Sequence, residues 1–318
     1  MLFNLIPANI LAPAAAIFTP CLCALLLRLF SGRLPKDHGR EFAVDGEKSA
    51  GKIRGAGIVF VISFIICGFA FIPVSLEYGL YYALIFLGML SGYLDDRSEK
   101  PWGEYKKGAI DLLISAGTAA AFVYFNRELT DISLFGLKLH IPPVVFGVIC
   151  AVLVWMLINA VNCTDGIDGF SSTLACVSFV SLAAVIIMRG GDKSAASMVV
   201  LMALSLIPYL WKNAEPSTMM MGDAGSRALG LLMAILVMKT GNILLVVPLC
   251  LVICLDGLMG IAKVSIRRFL RIRNFMEGIR TPLHDHARKN KGWSNTQVIY
   301  RFCMLQILVS LVTLLLMR

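Results

Sequence analysis

Apolar segments of membrane-spanning length recur along almost the whole chain, and they restrict its fold more than any other feature of the sequence. A helix needs about 20 mostly apolar residues to cross a bilayer. The mean hydropathy of +0.79, with 15% charged residues, excludes a soluble domain of 318 residues. We therefore predict an all-α, polytopic integral membrane protein, with residues 1–318 forming one transmembrane domain of about ten helices. The predicted segments are 5–30, 57–76, 79–94, 108–126, 143–161, 169–188, 194–211, 225–240, 242–262 and 296–317.

Positively charged residues concentrate in alternate loops, which predicts how the chain is oriented. The loops that follow odd-numbered segments, together with their flanks, carry 23 of the 29 lysine and arginine residues. Because short basic loops stay on the cytoplasmic side, these loops should be cytoplasmic and both termini should lie on the outer face. The net charge of +9 is then explained by contact with the lipid bilayer, and it requires no nucleic-acid partner.

Four polar clusters fall on this predicted cytoplasmic face. They occupy residues 95–107, 159–170, 212–227 and 263–295, whereas the outer loops are short and carry nothing comparable. Carboxylates near a membrane surface converge only where something compensates their charge. We therefore interpret the four clusters as parts of one site.

Two of the clusters carry aspartates at the ends of predicted helices. Asp95 and Asp96 are adjacent, which suits one carboxylate for a metal and one for a base. Asp223 lies between Gly222 and Gly225, which would allow a ligand to approach closely. The alternative for Asp95 and Asp96 is a solvated helix end. The alternative for Asp223 is an ordinary helix cap.

The stretch NAVNCTDGIDGF, residues 159–170, combines amides, carboxylates and glycines between two apolar segments. Asn159 and Asn162 lie three residues apart on one helix end, and the glycines let Asp165 and Asp168 turn toward a common centre. A plain Asp-Gly turn is the alternative.

The last cluster carries two of the four histidines of the chain, His284 and His286, on either side of Asp285. Arginine and lysine residues surround them, so a phosphate-binding loop is favoured over a merely solvated basic loop. Oxygen ligands without thiolates point to Mg²⁺ or Mn²⁺, and magnesium beside basic residues points to phosphate. The four clusters together indicate phosphoryl transfer at the membrane surface.

Two further carboxylates, Asp111 and Asp256, lie inside predicted segments and should face the protein interior. Asp111 is four residues beyond Lys107, which predicts a pair on one helix face. Two glycines follow Asp256 within four residues, and this pattern predicts a bend in the ninth segment.

In order and spacing, the Asp-Asp pair, NAVNCTDGIDGF, MGDAGSRALG and the His-rich loop before GWSNTQVIYRF resemble the polyprenyl-phosphate N-acetylhexosamine-1-phosphate transferase superfamily. Within it they are most similar to the phospho-N-acetylmuramoyl-pentapeptide transferases of bacterial peptidoglycan synthesis, from about Gly39 to the end of the chain. The resemblance implies a magnesium-dependent, usually homodimeric enzyme of the bacterial cytoplasmic membrane. Such an enzyme transfers phospho-MurNAc-pentapeptide from UDP-MurNAc-pentapeptide to undecaprenyl phosphate, giving lipid I and UMP.

The same resemblance implies roles for individual residues. Asp223 would be the magnesium ligand, Asp95 and Asp96 would serve the lipid phosphate and the metal, and His284 matches the first of three family histidines that read His-Asp-His here. Met220 stands where the family commonly has an aromatic residue, and either Lys106 or Lys107 corresponds to a family lysine. The residues expected to bind substrate are Asn159, Asn162, Asp165, Asp168, Asn213, Met220, Lys107 and His286.

Two alternatives stay open at this point. A transferase that uses UDP-GlcNAc would share most of these motifs. A secondary transporter would use intramembrane acids to relay protons, but transporters tend to show internal repeats and sites near the bilayer midplane. The acidic residues of this chain cluster at one predicted surface instead, which favours the enzyme.

Overall fold

Long helices occupy the apolar segments predicted from the sequence. The computed structural model describes residues 8–37, 39, 49–98, 100, 102–134 and 137–318, so positions 99 and 101 of the first polar loop lie outside the described residues. The first eight helices are α1 (Ala8–Phe30), α2 (Gly57–Phe71), α3 (Leu76–Arg97), α4 (Glu104–Phe125), α5 (Pro143–Thr164), α6 (Phe170–Met188), α7 (Lys193–Asn213) and α8 (Gly222–Lys239).

The ninth segment is broken into short pieces. They are α9 (Val246–Leu249), α10 (Leu251–Ile253), a π-helical turn (Cys254–Leu258) and α11 (Met259–Phe269), followed by α12 (Leu283–Lys291) and α13 (Asn295–Leu316). The axis bends by 82° between Ile243–Leu249 and Leu251–Phe269. The predicted bend is therefore present, although it falls at Cys250 and leaves Asp256 in the π-helical turn.

A short antiparallel hairpin between α4 and α5 departs from the expected all-helical fold. Strands β1 (Ile132–Leu134) and β2 (Leu137–Leu139) pair with Ile132 opposite Leu139. The rest of the regular structure in the described part of the chain is helical, apart from isolated single-residue bridges.

Among the described residues, six helices are long and apolar enough to cross a membrane. These are α1, α4, α5, α6, α7 and α13, and the bent pair would bring the number to seven if it forms one span. The protein is thus a helical, polytopic membrane protein. The count of ten spans and the orientation of the termini stay predictions.

Helix α8 forms the centre of the molecule. Every residue from Asp223 to Lys239 is buried, because α2, α3 and α5 pack directly against it. Glycines allow this close approach: a Cβ atom at Gly57 or Gly92 would overlap the backbone at the start of α8, and one at Gly230 would overlap that of α5. Because neighbouring helices enclose α8 on all sides, its terminal charges need partners within the protein.

One such charge is Lys239, at the end of α8 remote from Asp223. Its Nζ lies 2.7 Å from Glu77 Oε1, 2.9 Å from Asn126 Oδ1 and 3.1 Å from Asp192 Oδ2. We call these four residues the Lys239 cluster. A rise of about 1.5 Å per residue places the Cα atoms of Lys239 and Asp223 about 24 Å apart.

Candidate active site

The carboxylates of two predicted clusters meet where the C-terminal end of α3 crosses the N-terminal end of α8. Gly92 makes the crossing possible, since a side chain there would collide with the backbone of Asp223. Asp96 Oδ2 then accepts a hydrogen bond from the backbone N–H of Ala224 at 3.2 Å. The unsatisfied amides and positive dipole end of α8 favour a carboxylate at this position.

Lys107 and Arg227 supply positive charge to this group. Lys107 Nζ forms an ion pair with Asp95 and lies 3.4 Å from Asp223 Oδ2. Arg227 Nη2 lies 3.4 Å from the same Asp223 oxygen, and Arg227 Nη1 lies 2.7 Å from Asp111 Oδ1. The predicted pair of Asp111 with Lys107 is therefore wrong. Asp111 forms its ion pair with Arg227 of the central helix, and Lys107 pairs with Asp95 and Asp223 instead.

The two candidate lysines are now distinct. Lys106 Nζ lies 3.6 Å from the centroid of the Trp102 ring, a cation–π contact outside the carboxylate group. The neighbouring Lys107 enters the carboxylate group directly. Trp102 also contributes its backbone N–H to Asp95 Oδ1 at 2.8 Å, which fixes the orientation of that carboxylate.

The surrounding charges move the pKa values of Asp96 and Asp223 in opposite directions. Both residues lie outside the predicted segments 79–94 and 225–240. Burial raises the pKa of Asp96 to about 6, and the negative charge of Asp223 adds to this effect while Arg54 opposes it. Burial acts on Asp223 too, but Lys107 and Arg227 outweigh it and lower the pKa of that carboxyl to about 2. Asp223 is consequently ionised at neutral pH.

The donor set can be tested for its fit to magnesium. Among the described residues, no three His, Cys, Asp or Glu side chains are arranged to hold a metal by themselves. Magnesium, however, is usually bound by one or two carboxylates together with substrate phosphates. Asp95 and Asp223 are two such carboxylates, and an ammonium group already lies between them. Asp95 Oδ2 and Asp96 Oδ1 are buried and form ion pairs with Lys107 and Arg54 that lack the geometry of a hydrogen bond. Carboxylate oxygens of this kind fit a shared metal.

The end of α5 connects this carboxylate group to the second polar cluster. Asn162 Nδ2 donates to Ser226 Oγ on α8 at 2.9 Å, and the Asn162 side chain contributes to the lowered pKa of Asp223. Asn159 instead donates to the backbone oxygen of Trp155 within its own helix, at 2.8 Å. Asn162 is thus the asparagine of this pair that the structure brings to the carboxylates.

Asn213 joins two of the polar loops. Its Oδ1 accepts from the backbone N–H of Gly169 at 2.8 Å, and its Nδ2 donates to the backbone oxygen of Met219 at 2.8 Å. Gly169 has φ +76°, a left-handed conformation that glycine adopts without strain. Both polar atoms of the Asn213 amide are therefore hydrogen-bonded between the two loops. Met220, which is partly exposed, is the residue after Met219.

In the sequence analysis Lys52 and Arg54 were only part of the basic loop 28–54, yet both enter the site. Ile53 forms a parallel bridge with Met219, so this segment is extended, and alternate residues share one side of it. Lys52 Nζ lies 2.7 Å from Asp168 Oδ2, and Arg54 Nε lies 2.9 Å from Asp96 Oδ1. The alternating basic residues in GKIRGAG, just before an apolar segment, are the local signal for this arrangement, and they were not used in the prediction from sequence.

His284 reaches the site from α12. The residue is buried, and a Cβ atom at Gly166 would collide with its Nε2. The ring thus lies against the turn that carries Asp165 and Asp168. His286 is differently placed, because its Nδ1 accepts from the backbone N–H of Arg280 at 3.3 Å, within its own loop.

The structure therefore brings all four predicted clusters to one end of the helices. Comparisons with known proteins identify the family of the chain. Residues 78–241 match the family described as Glycosyl transferase family 4. The phospho-N-acetylmuramoyl-pentapeptide-transferase of Treponema pallidum (strain Nichols) is 38% identical over 296 residues, covering 87% of this chain and 81% of the relative.

More distant relatives carry the same name. That of Helicobacter pylori (strain Shi470) is 28% identical over 283 residues, covering 81% of this chain and 79% of the relative. That of Wolbachia sp. subsp. Brugia malayi is 27% identical over 236 residues, with 70% and 72% covered. A match over half of the chain and a 38% identical relative are sufficient to assign the family. The chain belongs to the phospho-N-acetylmuramoyl-pentapeptide transferase family, within glycosyl transferase family 4.

Proposed function

We propose that the protein transfers phospho-MurNAc-pentapeptide from UDP-MurNAc-pentapeptide to undecaprenyl phosphate, giving lipid I and UMP. The observation that carries this proposal is the meeting of Asp95, Asp96 and Asp223 with Lys107 and Arg54 at the ends of membrane helices. Two anionic phosphates must approach each other in this reaction, and a group of fixed cations among carboxylates suits that task. The names of the relatives state the transferred group, phospho-N-acetylmuramoyl-pentapeptide, and so support the donor.

The acceptor phosphate needs little activation. A phosphate monoester has a second pKa near ~6, so most of the polyprenyl phosphate is dianionic at neutral pH. One of its oxygens attacks the β-phosphorus of the UDP-sugar, and the bond from that phosphorus to the bridging oxygen breaks as UMP leaves with the electron pair. Asp95 and Asp96 are already paired with Lys107 and Arg54, which favours this direct attack over a covalent intermediate on either aspartate.

Each group of the site has a proposed part in this transfer. Asp223, assisted by Asp95, would hold Mg²⁺, and the ion would supply positive charge that neutralises the reacting phosphates. Lys107 keeps the two carboxylates together in the absence of substrate, and Arg54 faces the acceptor phosphate beside Asp96. Asn162 and His284 line the side of the site that the donor diphosphate enters.

The loop between α11 and α13 supports a peptide-bearing donor. A polar cleft of about 340 Å³ opens within this loop, and a lactyl-peptide needs such a wettable groove beside the sugar. The cleft is lined by Lys263, Glu277, Gly278, Ile279, Arg280, Thr281 and Asn290. Gly292 ends α12 with φ +67°, and Trp293 packs over Arg301, whose Cζ lies 4.2 Å from the ring centroid.

We further propose ten spans with both termini outside and a homodimer in the bacterial cytoplasmic membrane. In this arrangement six spans are the helices that are long and apolar enough by themselves. The other four spans are α2, α3, α8 and the bent segment from Ile243 to Phe269. Helix α8 needs no apolar outer face, because protein encloses it. The basic loops and the four polar clusters then share the cytoplasmic side, where the UDP-sugar is available.

The decisive experiment measures radiolabel transfer to lipid by the purified protein with Mg²⁺ and undecaprenyl phosphate. UDP-MurNAc-pentapeptide should be turned over at least tenfold more efficiently than UDP-GlcNAc, which corresponds to about 1.4 kcal/mol in transition-state binding. Removal of Mg²⁺ with a chelator should stop the reaction, and its return should restore it. Equal use of the two donors, or a preference for UDP-GlcNAc, would leave only the alternative GlcNAc-1-phosphate transferase.

A further inference from the structure

The buried pair of Asp256 and His284 is not explained by the predicted motifs. Asp256 Oδ1 accepts from the backbone N–H of His284 at 2.7 Å, and Asp256 Oδ2 lies 2.8 Å from His284 Nδ1. Asp256 is fully buried and His284 is 2% exposed. Two hydrogen bonds to one residue fix both the backbone and the ring of His284.

The position of Asp256 depends on the break in the ninth segment. A π-helical turn spans Cys254–Leu258, and such turns shift a side chain out of regular helical register. Gly257 follows, and a Cβ atom there would overlap the backbone of Ala160 on α5. The π-helical turn therefore packs closely against α5, and the Asp256 carboxylate contacts the start of α12.

The contact with Asp256 determines which ring nitrogen of His284 faces the site. A carboxylate only accepts hydrogen bonds, so the Nδ1 of His284 carries the proton that points to Asp256. Nε2 then faces Gly166, in the turn that carries Asp165 and Asp168. The other groups around the ring are Asp285, with its Oδ1 at 3.8 Å from Nε2, and the ring of Phe170 at 5.8 Å between centroids.

We propose that Asp256 is a positioning residue for the transfer reaction, and that it holds His284 in one tautomer and orientation, with Nε2 placed to accept a hydrogen bond from an O–H or N–H group of the donor substrate. The inference rests on the proposed function, because it assigns a purpose to His284 within that site. Asp256 itself does not touch the substrate. A second Asp-His pair in the chain provides a control: Asp131 and His140 are joined through Nδ1 at 2.8 Å, but both are exposed.

A spectroscopic test detects the protonation state of His284 beside Asp256 and does not depend on enzyme activity. Nitrogen NMR of protein labelled with ¹⁵N-histidine contains signals from four histidines, and the spectrum of the His284→Gln variant assigns the one of interest. We expect a protonated Nδ1 on His284 in the wild-type protein and in the Asp131→Asn control. In the Asp256→Asn variant this signal should shift toward a mixture of tautomers. A wild-type His284 with its proton on Nε2 alone would overturn the inference.

Kinetics give the second readout. Asp256→Asn should lower kcat at least tenfold with KM for the UDP-sugar changed less than threefold, Asp256→Glu should recover part of the loss, and Asp131→Asn should match the wild type. If Asp256→Asn does not fold, Gly166→Ala tests the same geometry from the other side of the ring, because the added methyl group would overlap Nε2. Its kcat should also fall at least tenfold, and an unchanged kcat would contradict the inference. Unchanged kcat in a folded Asp256→Asn protein would refute the role. Failure of the wild type to transfer with any donor would instead refute the proposed function and leave the NMR result standing.

Discussion

Asp223 lies one residue inside α8, and this position separates the two functions that the sequence allowed for it. The capping residue of α8 is Met221, and its side chain makes no capping hydrogen bond. The carboxylate of Asp223 is directed instead to Lys107 and Arg227. An N-cap role for Asp223 is thereby excluded, and a role in charge neutralisation fits the contacts that are present.

The first residue-scale prediction concerns this carboxylate. Asp223→Ala should reduce transfer about 10²–10³-fold, as removal of one electrostatic contributor does in other enzymes. Stability should change little, because Arg227 keeps Asp111 and Lys107 keeps Asp95 as partners. Asp131→Asn, directly before β1, is the control for transfer and for thermal unfolding in detergent. Substantial activity of the Asp223→Ala protein at saturating magnesium would contradict the assignment.

Adjacent lysines offer a matched pair for the second prediction. Lys107→Gln should lower kcat/KM by at least about tenfold, or about 1.4 kcal/mol, because the ammonium that joins Asp95 and Asp223 is lost. Lys106→Gln should stay within about threefold of the wild type, since the side chain only covers the ring of Trp102. Steady-state kinetics of the two variants with the same donor decide the matter. The opposite ranking would place the family lysine at position 106.

Residues within local motifs were predictable, whereas those that depend on distant partners were not. Asp95, Asp96, Asp223 and His284 stand in short polar stretches at the ends of apolar segments, and the structure brings them to one end of the molecule. Lys52 pairs with Asp168 and Arg227 pairs with Asp111, and the two partners are 116 residues apart in the sequence in both cases. No local pattern encodes such a pair. Asp256 was seen as a buried carboxylate, but its partner His284 required the three-dimensional path of the ninth segment.

At the scale of elements, apolar length predicted where helices occur but not how closely they pack. The second predicted segment ran to residue 76, yet α2 ends at Phe71 because Pro73 restricts Ile72 to an extended conformation. The hairpin of β1 and β2 was missed, since strands of three residues give almost no alternating pattern. The burial of α8 on all sides was also not visible in its composition.

Packing around α8 yields the element-scale prediction. Gly230→Ala should lower the free energy of unfolding by about 1–3 kcal/mol, because the added methyl group overlaps the backbone of Leu157 and Ile158 on α5. Gly108→Ala, in α4, meets nothing within 4 Å and should be neutral or slightly stabilising, because alanine favours a helix more than glycine does. Thermal unfolding in detergent compares the two. Equal melting temperatures of the Gly230→Ala and Gly108→Ala proteins would show that α5 and α8 can move apart without loss of stability.

At the scale of the whole molecule, charge distribution predicted which loops share a face. The four polar clusters do converge, and the Lys239 cluster lies at the other end of the central helix. The membrane itself decides which of these ends is cytoplasmic, so the sequence bias of lysine and arginine is the physical basis for that assignment. Orientation therefore needs a measurement in a sealed membrane.

Cysteine labelling supplies that measurement. In a background with the exposed Cys21 changed to Ser, the Gly278→Cys variant should react with an impermeant maleimide only from the cytoplasmic side. The Glu128→Cys variant should react only from the outer side. Both positions are exposed, so access to the reagent is set by the membrane and not by burial. Reaction of the Glu128→Cys variant from the cytoplasm would contradict the ten-span orientation.

The Lys239 cluster bears on the fate of the lipid product. Glu77, Asn126, Asp192 and Lys239 join α3, α7 and α8 to the end of α4 through a buried ion pair and its hydrogen bonds. Opening that end would remove partners from a buried charge, which costs about 3–5 kcal/mol. A product that carries a diphosphate, a sugar and a peptide would have to part these helices to pass between them. On the proposed function, this end of the protein therefore gives lipid I no path between the helices, and the product leaves the site into the leaflet where it is formed.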